Sequence, residues 1–211
     1  MSLQTWLAFA AASAVMLAIP GPTILLVISY ALGQGRRTTL ATVAGVTLGD
    51  FTAMTASLAG LGALLATSAT LFTVLKLIGA AYLMFLGVKL WRAPVVNDLE
   101  GDNEHLRDQK SLKILIHAYV VTALNPKSII FFIAFVPQFL DFEKPFLPQT
   151  LVLEVTFLSL AALNALLYGL LADVARGSIR KASVQRIVNR TGGTLLIAAG
   201  AVTAGYRQMA A

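Results

Sequence analysis

The chain has 211 residues and a formal net charge of +6, and 57% of its residues are hydrophobic whereas 12% are charged. Its mean hydropathy is +0.78. This composition excludes an ordinary soluble domain and predicts an integral membrane protein. The chain contains no cysteine, which excludes disulfide bonds, thiolate metal sites and thiol redox chemistry.

Long segments of the chain carry no Lys, Arg, Asp or Glu, namely residues 1–35, 51–75 and 155–172. Each can hold a helix of about 20 residues that crosses the hydrocarbon. Helices are favoured over a barrel, because barrel strands would alternate in polarity. The first segment lacks a basic start and a clear small-residue cleavage site, so we interpret it as a retained helix and not as a removed signal peptide.

The apolar segments predict an all-α membrane protein with six transmembrane helices. These spans are expected at approximately residues 4–33, 39–64, 70–91, 113–140, 149–172 and 191–208.

Three spans in each half is an odd number, so the halves, residues 1–105 and 106–211, are predicted to be inverted repeats. A polar stretch near residues 92–112 joins them. We interpret that stretch as a solvated connector, with cation binding or regulation as the alternative. Residues 176–190 place arginines between apolar residues at near-helical spacing, which predicts an interfacial helix on the inner leaflet.

The basic residues predict the orientation in the membrane. Most of them flank the connections between spans 1–2, 3–4 and 5–6, which places those connections in the cytoplasm and both termini outside. The net charge is therefore interpreted as a topology signal and not as a nucleic-acid surface. The residues concerned are Arg36, Arg37, Lys89, Arg92, Arg107, Lys110, Lys113, Arg176, Arg180, Lys181, Arg186 and Arg190.

Two proline triplets interrupt the first and fourth spans. Residues 20–22 read Pro-Gly-Pro and residues 125–127 read Asn-Pro-Lys, about half the chain apart. Proline removes a backbone donor and clashes with the preceding turn, so each triplet predicts a broken helix at bilayer depth, where such a break is tolerated only beside a cavity. Paired breaks in corresponding halves indicate the central binding site of a transporter.

Each break is also predicted to begin a new half-helix, because proline suits the first helical position and Asn125 is a good N-cap. Spans one and four run in opposite directions, so two N-termini with free N–H groups would point toward the bilayer centre and attract a carboxylate. Lys127 is unfavourable at a helix start unless an anion or an acidic side chain answers it. The alternative is a packing kink with Lys127 in a structural ion pair.

Asp50 is predicted to lie near mid-membrane, about 15 Å into the second span and at the depth of both breaks. A carboxylate there is costly and requires a partner or a function. Two interpretations remain open: a salt bridge to Lys127 or hydrogen bonds to freed amides, or a site for the substrate ammonium or a coupling proton. Gly45 and Gly49 permit close helix approach, and Glu154 is predicted to be interfacial.

The predicted site combines both breaks with Asp50 and with a polar residue of the fifth span, which can line the same cavity or merely bridge helices. No catalytic residue, metal site or cofactor is predicted. The predicted substrate-binding residues are Pro20, Gly21, Pro22, Asp50, Asn125, Pro126, Lys127 and Asn164, with Asp50 also the predicted proton-coupling residue.

Several motifs together resemble the lysine exporter and homoserine/threonine exporter (LysE/RhtB) family of bacterial inner-membrane amino-acid exporters. The resemblance covers essentially the whole chain and rests on the order and spacing of the motifs. They are the triplet 20–22, residues 45–50, residues 79–83 with 86–87, residues 124–127, and Phe135 followed by residues 137–139.

The resemblance implies a secondary active exporter in the inner membrane that moves an amino acid or a derivative, driven by protons through alternating access. A single mid-membrane acid favours a small neutral substrate such as homoserine, threonine or leucine. Expected partners are that substrate, protons and the lipid bilayer, with a homo-oligomer possible. An intramembrane aspartyl protease is one alternative, although it needs a second facing aspartate. A metal-ion exporter is another, although mid-membrane ligands are few.

Overall fold

A computed structural model describes residues 1–67, 69–93, 109–141, 143–172 and 181–205. Helices dominate these residues, and no strand occurs among them. Most of the predicted linker and the end of the predicted sixth span lie outside the described residues. The α-helices are α1 (Leu3–Ala18), α2 (Pro22–Gln34), α3 (Thr39–Thr67), α4 (Ala69–Trp91), α5 (Ser111–Ala123), α6 (Pro126–Ala134), α7 (Phe146–Leu170) and α8 (Ala182–Gly205), and two 3-10 helices cover Arg36–Thr38 and Val136–Phe139.

Both predicted breaks are present. The axes of α1 and α2 differ by 54°, and the axis of α5 differs by 45° from that of Pro126–Phe139. Pro22 and Pro126 are the first residues of α2 and α6. Proline fits there because its missing N–H would have no intrahelical partner. The first and fourth predicted spans are therefore broken helices.

The last helix corrects one prediction. The interfacial helix predicted at residues 176–190 is described only from residue 181, and from Ala182 these residues form the first turns of α8, which continues without a break into the predicted sixth span. The guanidinium of Arg190 lies 5.3 Å from the centre of the Trp91 ring, at the end of α4. This cation–π contact and the packing of α8 on α4 stabilise the early turns as part of the same helix.

Length and hydropathy together identify membrane-crossing candidates among the described residues. Helix α7 qualifies as a single helix, and the pairs α1 with α2 and α5 with Pro126–Phe139 qualify as bent spans. A shorter apolar helix covers Leu77–Trp91. By this criterion the structure supports up to three crossings, and the predicted number of six is not tested by it.

Glycines set the close helix contacts. A Cβ atom at Gly49 would lie 2.7 Å from the Thr122 Cβ and 2.8 Å from the Tyr119 carbonyl oxygen. A Cβ atom at Gly87 would lie 2.6 Å from the carbonyl oxygen of Gly193. Side chains at these positions would force α3 from α5 and α4 from α8, so the predicted role of Gly49 in close packing is confirmed.

An aromatic cluster lies in the hydrophobic core between α1, α6 and α7. The ring centroids of Phe132 and Phe157 lie 4.8 Å apart, those of Phe131 and Phe135 lie 5.0 Å apart, and those of Phe9 and Phe139 lie 5.3 Å apart. Such pairs stabilise a core beyond the area they bury. The rings therefore form part of the hydrophobic core that packs these helices together.

Gly35 joins α2 to the following 3-10 helix with φ 83° and ψ 175°, a conformation that is essentially restricted to glycine. We expect Gly35→Ala to lower the free energy of unfolding by about 1–3 kcal/mol. Gly60→Ala is the control, because Gly60 lies in α3 with no heavy atom within 4 Å of an added Cβ. Denaturant unfolding of purified protein would measure both. Equal stability of the two variants would contradict this prediction.

Candidate functional site

A small cavity lies where the two helix breaks meet. Its lining includes Gly21, Asp50, Asn125, Lys127 and Asn164, so five of the predicted site residues come together. Thr23 and Ser128, which sequence reasoning did not single out, line it as well. The prolines at 20, 22 and 126 are not among its lining residues and act instead on the backbone around it.

The Pro20–Pro22 triplet leaves carbonyl groups of α1 without their usual partners. In a continuous helix the carbonyl of residue i accepts from the N–H of residue i+4, and proline has no N–H. The Met16 and Ala18 carbonyls face this loss because the residues four positions later are Pro20 and Pro22. Their hydrogen bonds must come from elsewhere in the fold.

Side chains of the second half of the chain supply those hydrogen bonds. Lys127 Nζ donates to the Met16 and Ile19 carbonyl oxygens, each at 2.8 Å. Asn164 Nδ2 donates to the Leu17 carbonyl oxygen at 3.1 Å, and Tyr168 Oη donates to that of Ala18 at 3.0 Å. A cation at a helix C-terminus is also favourable for the helix dipole. Lys127 Nζ thus donates to backbone carbonyls of the first break, while the Asp50 carboxylate interacts with it electrostatically.

The second break is satisfied locally. Asn125 Oδ1 accepts from the Lys127 backbone N–H at 3.0 Å, which confirms the predicted N-cap of α6. Asn125 Nδ2 donates to Thr23 Oγ1 at 3.2 Å, and Thr122 Oγ1 donates to the same oxygen at 3.3 Å. A polar group of α2 is thereby fixed against the break between α5 and α6.

Asp50 projects from α3 into the cavity and is 3% exposed. The Ser128 side chain hydrogen bonds to its carboxyl group, and Lys127 interacts with it electrostatically. Its Oδ1 atom is buried and has no hydrogen-bond partner. A buried acceptor without a donor costs about 1–3 kcal/mol, so this oxygen is suited to a donor that arrives with a ligand.

The cavity has a volume of about 30 Å³, which is roughly the space of one liquid water molecule. Sites for small organic ligands typically enclose several hundred Å³. An amino acid therefore fits only after the surrounding helices separate.

Two polar pairs that the sequence did not predict lie outside the cavity. Glu154, predicted to be interfacial, is 8% exposed and accepts a 2.5 Å hydrogen bond from Thr55 Oγ1. At the opposite end of the bundle, Tyr30 Oη lies 2.8 Å from His117 Nδ1. The hydroxyl groups of Thr55 and Tyr30 were the available signal for these hydrogen bonds in the sequence. Their partners could not be predicted, because they depend on which helices pack together.

The residue order of the whole chain matches a known family. The model of the LysE type translocator family matches residues 14–206. The chain belongs to this family. It is a translocator, and the family resemblance seen in the sequence is confirmed.

Relatives of this LysE type translocator share its full length. An uncharacterized membrane protein of Vibrio cholerae is 34% identical over 206 residues, covering 97% of this chain and 98% of its own. A homoserine/homoserine lactone efflux protein of Salmonella typhimurium is 30% identical over 207 residues, covering 98% and 99%. A membrane protein of Bacillus subtilis is 26% identical, covering 95% and 99%. No solved structure matches the chain.

Membership in this family decides between the classes considered above. A LysE type translocator is a multi-pass membrane protein that moves a small molecule, and it is not an enzyme. The interpretation as an intramembrane protease is therefore wrong. Within the part of the chain that the structure describes, no group of three or more His, Cys, Asp or Glu side chains comes together to hold a metal ion.

Proposed function

We propose that this translocator exports a small neutral amino acid or a derivative, such as homoserine, threonine or leucine, across the bacterial inner membrane. The observation that carries the proposal is the meeting of a partnerless Asp50 oxygen and two half-helix N-termini in one buried cavity. A carboxylate acceptor suits an ammonium group, and helix N-termini suit a carboxylate. Relatives named homoserine/homoserine lactone efflux proteins support this substrate class.

The export cycle we propose is proton-coupled alternating access. Asp50 holds the substrate ammonium, while the half-helix N-termini and Lys127 provide the positive surroundings for the carboxylate. A proton that reaches Asp50 from outside displaces the ammonium and releases the substrate. The small volume of the cavity, about 30 Å³, supports such a cycle, because an amino acid can enter or leave only when the surrounding helices separate.

The architecture we propose for this cycle is six spans arranged as two inverted three-helix repeats, with both termini outside. The contacts between helices support it: α3 packs on α7 and α4 packs on α8. These are the second spans and the third spans of the two halves, as expected if a pseudo-two-fold axis lies in the membrane plane. Cysteine labelling from either side of the membrane, in a protein that has no native cysteine, would locate the termini.

The function can be tested by transport. Proteoliposomes containing the purified chain should exchange homoserine, threonine or leucine in counterflow, and an imposed proton gradient should drive net movement. Overproduction in cells should raise resistance to toxic analogues of the same substrate and increase its amount in the medium. Absence of exchange for every neutral amino acid, with exchange of lysine or a metal ion instead, would overturn the proposal.

A further inference from the structure

We infer that the carboxylate of the transported amino acid binds at the N-terminus of α2, where the Thr23 hydroxyl donates to it, and that Lys127 acts as a positioning residue through α1. This rests on the proposed function and assigns its two charged poles to specific groups. The two helix breaks, which the sequence makes equivalent, then have different tasks.

The caps of the two half-helices distinguish the breaks. The N-cap of α6 is Asn125, whose side chain already accepts the Lys127 backbone N–H at 3.0 Å. The N-cap of α2 is Gly21, which makes no side-chain capping bond. The N–H groups of a helix's first turn have no intrahelical acceptor. One such N–H group of α6, that of Lys127, is bonded to the Asn125 side chain, whereas no side-chain cap bonds those of α2. Gly21 and Thr23 both line the cavity.

The Thr23 hydroxyl is oriented by two neighbours. Its oxygen accepts from Asn125 Nδ2 at 3.2 Å and from Thr122 Oγ1 at 3.3 Å. A hydroxyl has two acceptor positions and one donor hydrogen, so the remaining capacity of Thr23 is to donate. Its hydroxyl makes no hydrogen bond as a donor to any residue that the structure describes. A carboxylate in the cavity would accept this bond.

Asp50 provides the second, independent observation. It is 3% exposed, its Oδ1 atom has no partner, and it lines the same cavity as Thr23. An unpartnered carboxylate oxygen calls for a cationic donor. A free donor and a free anionic acceptor in one cavity match the two charged groups of an α-amino acid.

Lys127 is already engaged with the backbone of α1. Its Nζ atom donates to the Met16 and Ile19 carbonyls, which uses two of the three donors of an ammonium group. Its side chain also approaches Gly21, with Cδ 3.5 Å from the position of a Cβ there. Lys127 therefore holds the end of α1 and the start of α2 in place, and its effect on the carboxylate acts through that geometry.

Homoserine and homoserine lactone form a matched pair of probes, because both carry the ammonium group and the lactone has no carboxylate. Thr23→Val should weaken homoserine binding by about tenfold to a hundredfold, as expected for a hydrogen bond to a charged group. The same variant should change lactone binding by less than about twofold. Thr23→Ser, which keeps the hydroxyl, should restore homoserine binding. Equilibrium binding to purified protein would measure all four combinations.

Three outcomes would overturn the inference. Equal weakening of both probes in Thr23→Val would show that Thr23 merely positions Asn125. Unchanged homoserine binding would show that its hydroxyl does not meet the carboxylate. Wild-type protein that binds neither probe would overturn the proposed function as well, which separates the two failures. If Thr23→Val does not fold, Thr23→Ala provides the same comparison, since it removes the hydroxyl without adding bulk.

Discussion

Asp50→Asn is expected to abolish proton-driven transport and to weaken substrate exchange, while leaving the fold intact. Asparagine has nearly the same shape and can keep a hydrogen bond with Ser128, the group that contacts the Asp50 carboxyl. It has no negative charge for an ammonium group and cannot take up a coupling proton. Loss of one charge-assisted hydrogen bond corresponds to a decrease in affinity of about tenfold to a hundredfold.

The stability of Asp50→Asn separates a functional defect from a folding defect. The carboxylate is buried and one of its oxygens has no partner. Asparagine removes that cost but also removes the electrostatic partner of Lys127, so the variant should unfold at a temperature close to that of the wild type. Thr52→Val is a matched control on the same helix, because Thr52 is exposed and its hydroxyl donates to the Leu48 carbonyl.

Counterflow and gradient-driven uptake in proteoliposomes distinguish the two roles proposed for Asp50. If the variant exchanges substrate normally but no longer responds to a proton gradient, proton coupling is the only role of Asp50. A variant that performs both at the wild-type rate would remove Asp50 from the mechanism.

Lys127→Met is expected to cause the largest loss of stability among single substitutions at the site. Methionine has a similar length but cannot donate to the Met16 and Ile19 carbonyls, which Pro20 and the end of α1 leave without helical partners. Buried acceptors that lose a charged donor lower the free energy of unfolding by about 3 kcal/mol in total. Transport should fall with it, because the end of α1 lines the cavity.

Two comparisons test this explanation of Lys127→Met. Tyr168→Phe removes one neutral hydrogen bond, to the Ala18 carbonyl, and should cost about 1 kcal/mol. Lys144→Met removes a lysine that pairs with Asp141 at an exposed site, and should leave stability and transport unchanged. Chemical denaturation in detergent would rank the three variants, and a Lys127→Met protein as stable as Tyr168→Phe would refute the assigned role.

A double variant tests the interaction of the two buried charges. Lys127 and Asp50 interact electrostatically, so Lys127→Met leaves an uncompensated carboxylate in the cavity. Combining it with Asp50→Asn should restore part of the lost stability, giving a coupling energy that differs from zero. Strict additivity would mean that the charges do not influence one another.

Much of the helical organisation follows from local sequence. The bounds of α4 and α7 lie within a few residues of the predicted third and fifth spans, since long apolar segments have few alternatives to a helix. Both breaks occur where proline removes a donor. The start of α8 could not be predicted in the same way, because arginines between apolar residues suit an interfacial helix and the first turns of a longer helix equally well.

The residues that line the cavity were predicted more completely than the hydrogen bonds they make. Gly21, Asp50, Asn125, Lys127 and Asn164 line one cavity, and their common depth was the signal that grouped them. The α1 carbonyls as acceptors for Lys127 and Asn164 were missed, although the spacing of two prolines already removes donors from Met16 and Ala18. Recognising that these carbonyls lack helical donors does not reveal which side chains donate to them.

The sequence by itself determined the membrane class, the two breaks and the candidates Asp50 and Lys127, because composition and proline chemistry act within a few residues. Tertiary structure alone decided that Lys127 holds the end of α1, that Asn125 caps α6 while the start of α2 has no side-chain cap, and that the cavity is small. These features join residues from opposite halves of the chain. Their hydrogen bonds depend on which helices pack together, and local sequence does not encode that choice.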